Sequence, residues 1–403
     1  MRTRRQRISE DRQSISRIVN GGGSSVLLPI DLIIEILSRL PAKSIARCRC
    51  VSKLWGSIIR SQVFTELVLT RSATTQPHLL FACEKNGEVF FYSSPQNPYE
   101  KSSPITANYH MKFPFDDDDF VLRPVHGLIC LKQIRIFKGR NTTALMICNP
   151  STGQSLTLPR VKTRRVDVMS FLGYDPVGKQ FKLLSMTSSI SGSNRVSAEH
   201  QILTLGNGKL SWRKIECSTP HYPLSRGICI NGVLYYPAED KCIEGKFRIA
   251  CFDIRSEKFK LIKRVDEVVR GKLVNYKGKL ATLRTDTSPF SICRRSRSFE
   301  LCVLEDAEKH EWSTHTYVLP PLSTDLVSSS GMFFQGVTRR GEIVLSPPSY
   351  YPSDPFYLLY YNLERNTFVK VEIQGIHMHV RHKVYTFVDH VENVKLGGVF
   401  ETS

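Results

Sequence analysis

The sequence predicts an α+β multidomain protein: a small N-terminal helical module followed by an all-β domain. The β part is read as a β-propeller of about six blades, with an irregular β-sandwich as the alternative. Three observations predict this. The stretch from Leu27 to Trp55, "LLPIDLIIEILSRLPAKSIARCRCVSKLW", has helical periodicity. From about Phe64 the apolar period changes to two and no long helical pattern returns. A loose strand–turn–strand repeat then recurs at roughly 50-residue spacing, the length a four-stranded blade requires.

Residues 1–24 read as a disordered basic tail. They carry six arginines against Glu10 and Asp11 and end in "NGGGSS", a flexible hinge. Residues 25–70 form the helical module. Leu32, Ile33, Ile36, Leu37 and Leu40 make one apolar stripe. Pro29 suits the first turn of a helix, where a missing N–H costs nothing. Pro41 stops the helix, because the residue before proline is pushed out of the α region. A second amphipathic piece is expected near Ser44, read as an N-cap, with Ile45, Cys48, Val51 and Trp55 at helical steps.

Residues 71–403 are expected to be the β domain, with strand-like runs read from about Phe64, just ahead of that boundary, in "FTELVLT", "HLLFACE" and "GEVFFYS". One half of the repeat is a strand closed by an Asn or Asp turn, as in "MICNPSTGQSLTLP" and "ACFDIRSEKFKLI". The other half is an apolar run opened or split by glycine, as in "HGLICL" and "RGICINGVLYY". Units start near 127, 172, 227, 273 and 333. The leading strands and the final "VYTFVDHV" are expected to join into a sixth blade, which closes the ring and removes two sticky edges.

Composition narrows the class. No apolar run approaches the ~20 residues a membrane span requires, and the N-terminus lacks a signal-peptide core. The expectation is a soluble protein of the nucleus or cytoplasm, with no membrane partner. The eleven cysteines include no C-x-x-C pair, and most sit inside apolar strands, so they read as free, packed thiols. The formal charge of +19 is diffuse, and its clusters "RVKTRR" and "RRSR" are not interleaved with aromatics as in a single-strand-binding groove.

The helical block resembles the plant F-box. The matching residues are Leu28-Pro29, Leu32, Ile33, Glu35, Ile36 and Leu37. The match continues through Arg39, Leu40, Pro41, Lys43, Ser44, Arg47, Val51, Lys53 and Trp55 without a gap. The β region resembles the F-box-associated domain, of type 3, in "CNPSTGQSLTLP", "LGYDPVGKQFKLLSM", "LSWRKIE" and "GICINGVLYY". This resemblance implies the substrate receptor of an SCF-type ubiquitin ligase, serving protein ubiquitination. The F-box would dock a Skp1-like adaptor, and through it cullin and a RING subunit. Adaptor contact is assigned by analogy to Leu28, Pro29, Leu32, Ile36, Leu40, Pro41, Val51 and Trp55. The physics agrees: a helical trio of ~40 residues rarely supplies a sufficient core, so its surplus apolar surface should meet a partner.

Chemistry of its own is not expected. The sequence lacks G-x-S-x-G, P-loop, H-E-x-x-H and G-x-G-x-x-G patterns. His377, His379 and His382 have no neighbouring carboxylate or thiol, and Asp116–Asp119 lack the glycine and glutamate of a calcium loop. No catalytic residue, metal site or cofactor is therefore assigned. Asp31 and Glu35 read as solvated helix charges. Two alternatives stay open: an F-box scaffold acting outside a ligase, and a basic propeller that binds nucleic acid, the latter disfavoured. The protein substrate is not legible, although "VSSSGMFF" (327–334) and "PPSYYPSDPFY" (347–357) are candidate loops.

Overall fold

The computed structural model describes residues 28–74, 77–96, 104–116, 120–137, 140–163, 168–191, 194–206, 209–243, 246–262, 271–322, 326–327, 331–347, 355–376 and 383–394. The basic tail, Leu27, Asp117–Asp119, His377, His379, His382 and much of the two candidate loops lie outside these residues.

Four helices come first: α1 (Ile30–Ser38), α2 (Ala42–Cys48), α3 (Lys53–Arg60) and α4 (Gln62–Thr74). Pro29 and Pro41 occupy the cap positions of α1 and α2. Ser44 therefore lies inside α2 and does not cap it, contrary to the sequence reading. The side-chain cap belongs to Ser52, whose hydroxyl accepts from Trp55 N at 3.1 Å and opens α3. The largest correction is α4. "FTELVLT", short and rich in β-branched and aromatic residues, reads as a strand, yet it is helical. Phe64 and Val68 are one helical turn apart, and both are buried against Ile33, Leu37, Ile45, Ile58 and Ile59. Seven residues of mixed pattern do not distinguish period two from 3.6; packing decided it.

The remaining chain forms a six-bladed propeller. Blade one consists of β1 (His78–Lys85), β2 (Glu88–Pro95) and β4 (Asn108–Pro114), closed by β27 (Val384–His390). β27 pairs antiparallel with β1, from Cys83 opposite Val384 to His78 opposite His390. Blade two is β5 (Phe120–Val121), β6 (Ile129–Phe137), β7 (Arg140–Asn149) and β8 (Gln154–Thr157). Blade three is β9 (Val168–Asp175), β10 (Gln180–Ser191), β11 (Asn194–Leu205) and β12 (Arg213–Ile215). Blade four holds β13 (His221–Pro223), β14 (Ile228–Ile230), β15 (Val233–Asp240), β16 (Phe247–Asp253) and β17 (Phe259–Ile262). Blade five is β18 (Lys272–Tyr276), β19 (Lys279–Thr285), β21 (Ser298–Asp306) and β22 (Glu311–Val318). Blade six is β23 (Met332–Val337), β24 (Ile343–Ser346), β25 (Tyr357–Asn362) and β26 (Thr367–Gln374), with β20 (Ser291–Ile292) and β3 (Ile105–Thr106) at its margins.

The hairpins follow from the turn residues. Asn231-Gly232 joins β14 to β15 with φ of 49° and 86°, the double positive φ that a right-twisted two-residue turn needs. The core is not central but lies between blades. Leu80, Ala82 and Phe91 of blade one meet Val121, Ile129 and Leu131 of blade two. Blade two then meets three, three meets four, four meets five and five meets six through equivalent clusters. The ring closes where Val344 and Leu358 of blade six pack on Leu79 and Phe81 of blade one. Each cluster is built from both faces of neighbouring sheets, so no blade is stable without its neighbours.

The helical module is joined to this ring by residues next to β27. Val394 is wholly buried among the helical core residues. Ala42 N donates to Glu392 Oε2 at 3.2 Å, and Glu392 N donates to Ser72 Oγ at 3.0 Å. Asn393 faces the propeller instead. Its side-chain amide donates to His126 O at 2.6 Å, and its own carbonyl accepts from Asn149 Nδ2 at 2.8 Å. Lys179 of blade three pairs with Glu66 of α4. Part of the surplus apolar surface of the helices is thus covered by their own chain.

Candidate functional site

The apolar stripe of α1 splits into two faces. Ile33 and Leu37 point inward and fill the helical core. Leu28, Leu32 and Ile36, spaced by four residues, lie along the outer side and are 53%, 50% and 50% exposed. Val51, between α2 and α3, is 64% exposed, and Pro29 and Pro41 are also exposed. Leu40 and Trp55 are half-buried and pack against the core from its edge. Of the eight residues expected to meet a partner, six are therefore on the surface and two are shared with the module's interior. Leaving four large aliphatic side chains half or more in water on so small a module is costly, since burying the remaining half of each would gain about 1 kcal/mol.

Beside this face, Glu35 is not a free helix charge. Its carboxylate pairs with Arg71 of α4 at 2.6 Å and with Arg39 at 2.8 Å. Hydrogen bonds from Arg71 and then Arg39 hold its pKa below the usual carboxylate value. The brace fixes α1 against α4 and so fixes the direction in which Leu32 and Ile36 face.

The blades line two cavities. The one beside the helices has a volume of about 570 Å³ and is lined by Glu66, Leu69 and Thr70 of α4 together with His126, Tyr174, Asn275, Arg339 and Asp389 of the blades. α4 thus forms one wall of this cavity. The other cavity, about 320 Å³, is lined by Phe120, Arg123, Phe171, Leu224 and Arg226 among others, and by no residue of the helices. Strand direction separates the two. β27 runs from Val384 to His390 and continues into the helical contact, so Tyr385 lies roughly 15 Å from that end.

A third cluster escaped the sequence reading. His200 of β11, Cys217 and His221 of β13 place one ligand-type atom each within 4.8 Å of one another. Their spacing in the chain matches no metal signature, so only the fold reveals them. Both ring nitrogens of His221 are engaged, Nδ1 with Thr219 O and Nε2 with Tyr236 Oη, each at 2.7 Å. Burial pushes His200 down to about 4 and the Cys217 thiol up. These bonds account for the arrangement as a neutral polar core between blades three and four.

Comparison with known proteins gives this geometry its family. Residues 26–67 match the F-box domain, and residues 78–391 match the F-box associated beta propeller domain. The chain belongs to the plant F-box proteins that carry this propeller. It is 51% identical over 401 residues to F-box protein DOR of Arabidopsis thaliana, covering 98% of this chain and 100% of that protein. It is 49% identical to F-box protein At5g65850 of the same plant, covering 98% and 99%. It is 48% identical to F-box protein At3g61340, covering 92% and 93%. The exposed line of Leu28, Leu32 and Ile36 therefore lies on the F-box, and the larger cavity lies between its last helix and the associated propeller. The F-box domain implies binding to a Skp1-like adaptor. No helix of the described residues is long and apolar enough to cross a membrane.

Proposed function

We propose that the chain is the substrate-recognition subunit of an SCF-type ubiquitin ligase. In this reading Leu28, Pro29, Leu32, Ile36, Leu40, Pro41, Val51 and Trp55 dock a Skp1-like adaptor, which brings cullin and a RING subunit. The propeller, within residues 71–403, holds a protein target. The observation that carries the reading is the outer face of α1. Its aliphatic side chains stay in water although the module's own core is already filled by Ile33, Leu37, Phe64 and Val394. Such a face suits helix-in-groove packing, with leucine and isoleucine anchors one turn apart.

The chain supplies no catalytic group. Its contribution is proximity: holding the target near the charged conjugating enzyme turns transfer into an effectively intramolecular event. The contacts of Glu392, Asn393 and Val394 favour this, because helices fused to the propeller hold it at a set distance from the ligase. The nucleus or cytoplasm is the compartment in which such a complex would act.

The test uses the full chain, since Val394 completes the helical core. Purified protein is captured on an immobilised Skp1-like adaptor. Leu32→Asp and Ile36→Asp are each expected to weaken capture at least 100-fold while shifting the melting temperature by less than about 2 °C, as exposed sites do. Capture of both variants at the wild-type level would overturn the reading.

A further inference from the structure

Three ligand-type side chains meet where blades three and four adjoin. His200 comes from β11, Cys217 from the irregular segment between β12 and β13, and His221 from the start of β13. Cys217 Sγ lies 3.8 Å from His221 Nδ1, and no two of the three ligand atoms are more than 4.8 Å apart. The rings of His200 and His221 have centroids 5.9 Å apart. On one tetrahedral zinc(II) ion, two imidazole centroids lie about 5 Å apart and nitrogen and sulfur roughly 3.5 Å apart, given bonds of about 2.0 and 2.3 Å. Every pair is thus within about 1.5 Å of that geometry. Among the described residues no other three His, Cys, Asp or Glu side chains converge in this way.

The hydrogen bonds of the neutral cluster mark where a cation fits. Thr219 O accepts from the Cys217 thiol at 3.2 Å and from His221 Nδ1 at 2.7 Å, since a carbonyl can only accept. Two ligand groups thus aim their protons at one oxygen. A metal ion in place of those protons takes Sγ, Nδ1 and the carbonyl oxygen as donors, with His200 as the fourth. The tautomer this requires is within reach. With Nδ1 protonated, Nε2 of the neutral ring accepts from Tyr236 Oη at 2.7 Å. The same hydroxyl lies 3.7 Å from Met186 Sδ, a second acceptor. Turned to that sulfur, Oη accepts from Nε2–H instead, which leaves the Nδ1 lone pair for the ion and keeps the orienting bond that metal-binding histidines use. Burial holds both histidines below the ordinary value, in the neutral form a metal needs. Phe259 closes one side, its ring centroid 5.1 Å from that of His200 and 5.6 Å from that of His221. Cys217 is only partly buried and gives an entry path.

We propose that Cys217, His200 and His221, together with Thr219 O, bind one zinc(II) ion. Thiolate and imidazole donors select zinc over magnesium or calcium, which take oxygen ligands. The exchange balances: one proton leaves per ion, from the Cys217 thiol, while that of His221 moves from Nδ1 to Nε2. His200 belongs to blade three and the other donors to the chain entering blade four. The ion therefore fastens one blade to the next, across the apolar cluster that the two share.

The experiment uses the full chain, stripped of metal by a chelator under reducing conditions. Cobalt(II), a coloured substitute for zinc(II), is titrated in and then displaced with zinc. One cobalt per chain is expected, with a thiolate-to-cobalt charge-transfer band, the visible bands of tetrahedral coordination and one proton released per ion. One equivalent of zinc should abolish the bands. Cys217→Ser is expected to lose the charge-transfer band, and both Cys217→Ser and His200→Gln to bind zinc at least 100-fold more weakly. Zinc at 100 times its dissociation constant should raise the wild-type melting temperature by at least about 2 °C and leave that of Cys217→Ser unmoved. Without metal, Cys217→Ser should melt within about 2 °C of wild type, since the position is partly exposed, so its loss of binding cannot come from unfolding. Absence of the charge-transfer band with cobalt in excess overturns the proposal. So does an unchanged band or zinc affinity in Cys217→Ser, which would place the ion on other side chains. Copper(I) bound where neither cobalt nor zinc is held would also overturn it, assigning the cluster to a monovalent ion.

Discussion

Replacing Val394 by aspartate tests whether the F-box depends on the segment that follows the last propeller strand. Val394 has no exposed surface and lies in the cluster of Ile33, Leu37, Ile58 and Phe64. Losing its burial costs about 1.5–3 kcal/mol. A carboxylate placed there, with no cation in the cluster, adds several kcal/mol more, whether it stays charged or takes up a proton. A module of 45 residues (30–74) holds about 2–7 kcal/mol at the usual stability per residue. A loss of at least 4 kcal/mol would therefore open the helices locally about 10³-fold more often, at 1.4 kcal/mol per factor of ten. Amide exchange followed by mass spectrometry reads this directly. Residues 30–74 of Val394→Asp are expected to lose that much protection, while the strands of blades three and four keep theirs. Val318→Asp, at a position 71% exposed on β22, serves as the control and should change neither. Helical protection within threefold of wild type in Val394→Asp would refute the shared core.

Two further outcomes follow from the same geometry. Gly127 has φ of 79°, and an added Cβ would sit 2.7 Å from Asn393 Cβ and closer still to Val391 O. Gly127→Ala is therefore expected to lower stability by at least about 2 kcal/mol and to expose the same helices, read by urea unfolding together with exchange. The second concerns pH. Burial pushes His390 down to about 3 and His200 down to about 4, both below the unfolded value near 6.5. The unfolded chain then binds more protons on acidification, so the stability is present above pH 6.5 and drains away as pH falls toward those values. Each histidine should cost about 1.4 kcal/mol between pH 7.5 and 5.5. His110, His126 and His221 are lowered by burial as well and add to the wild-type loss, so in urea titrations at those two pH values His390→Gln should lose about 1.4 kcal/mol less than wild type. An identical loss would contradict a neutral buried His390.

The sequence by itself determined the architecture, because periodicity and turn chemistry are local. Pro29 and Pro41 bound the first helix, and Asn231-Gly232 is a hairpin turn wherever it occurs. The spacing of the apolar runs, with a final orphan strand at 384–391, called for a ring closed by its own C-terminal strand; β27 against β1 is that closure. The F-box was legible for the same reason, its residues lying within 28 consecutive positions from Leu28 to Trp55. Tertiary structure alone decided what depends on distant residues. "FTELVLT" became helical because Phe64 and Val68 had a core to enter. The stripe of α1 split into inward Ile33 and Leu37 and outward Leu32 and Ile36, since a side is defined only once α4 and Val394 are in place. Asn149 reads in sequence as a turn residue, yet its amide also holds Asn393, 244 positions away. Arg123, Arg226 and Lys272 lie in separate repeats, among many scattered cations of a chain with charge +19. Only closure of the ring brings segments of distant blades together, as the Arg123 guanidinium on Leu273 O, 150 positions away, shows.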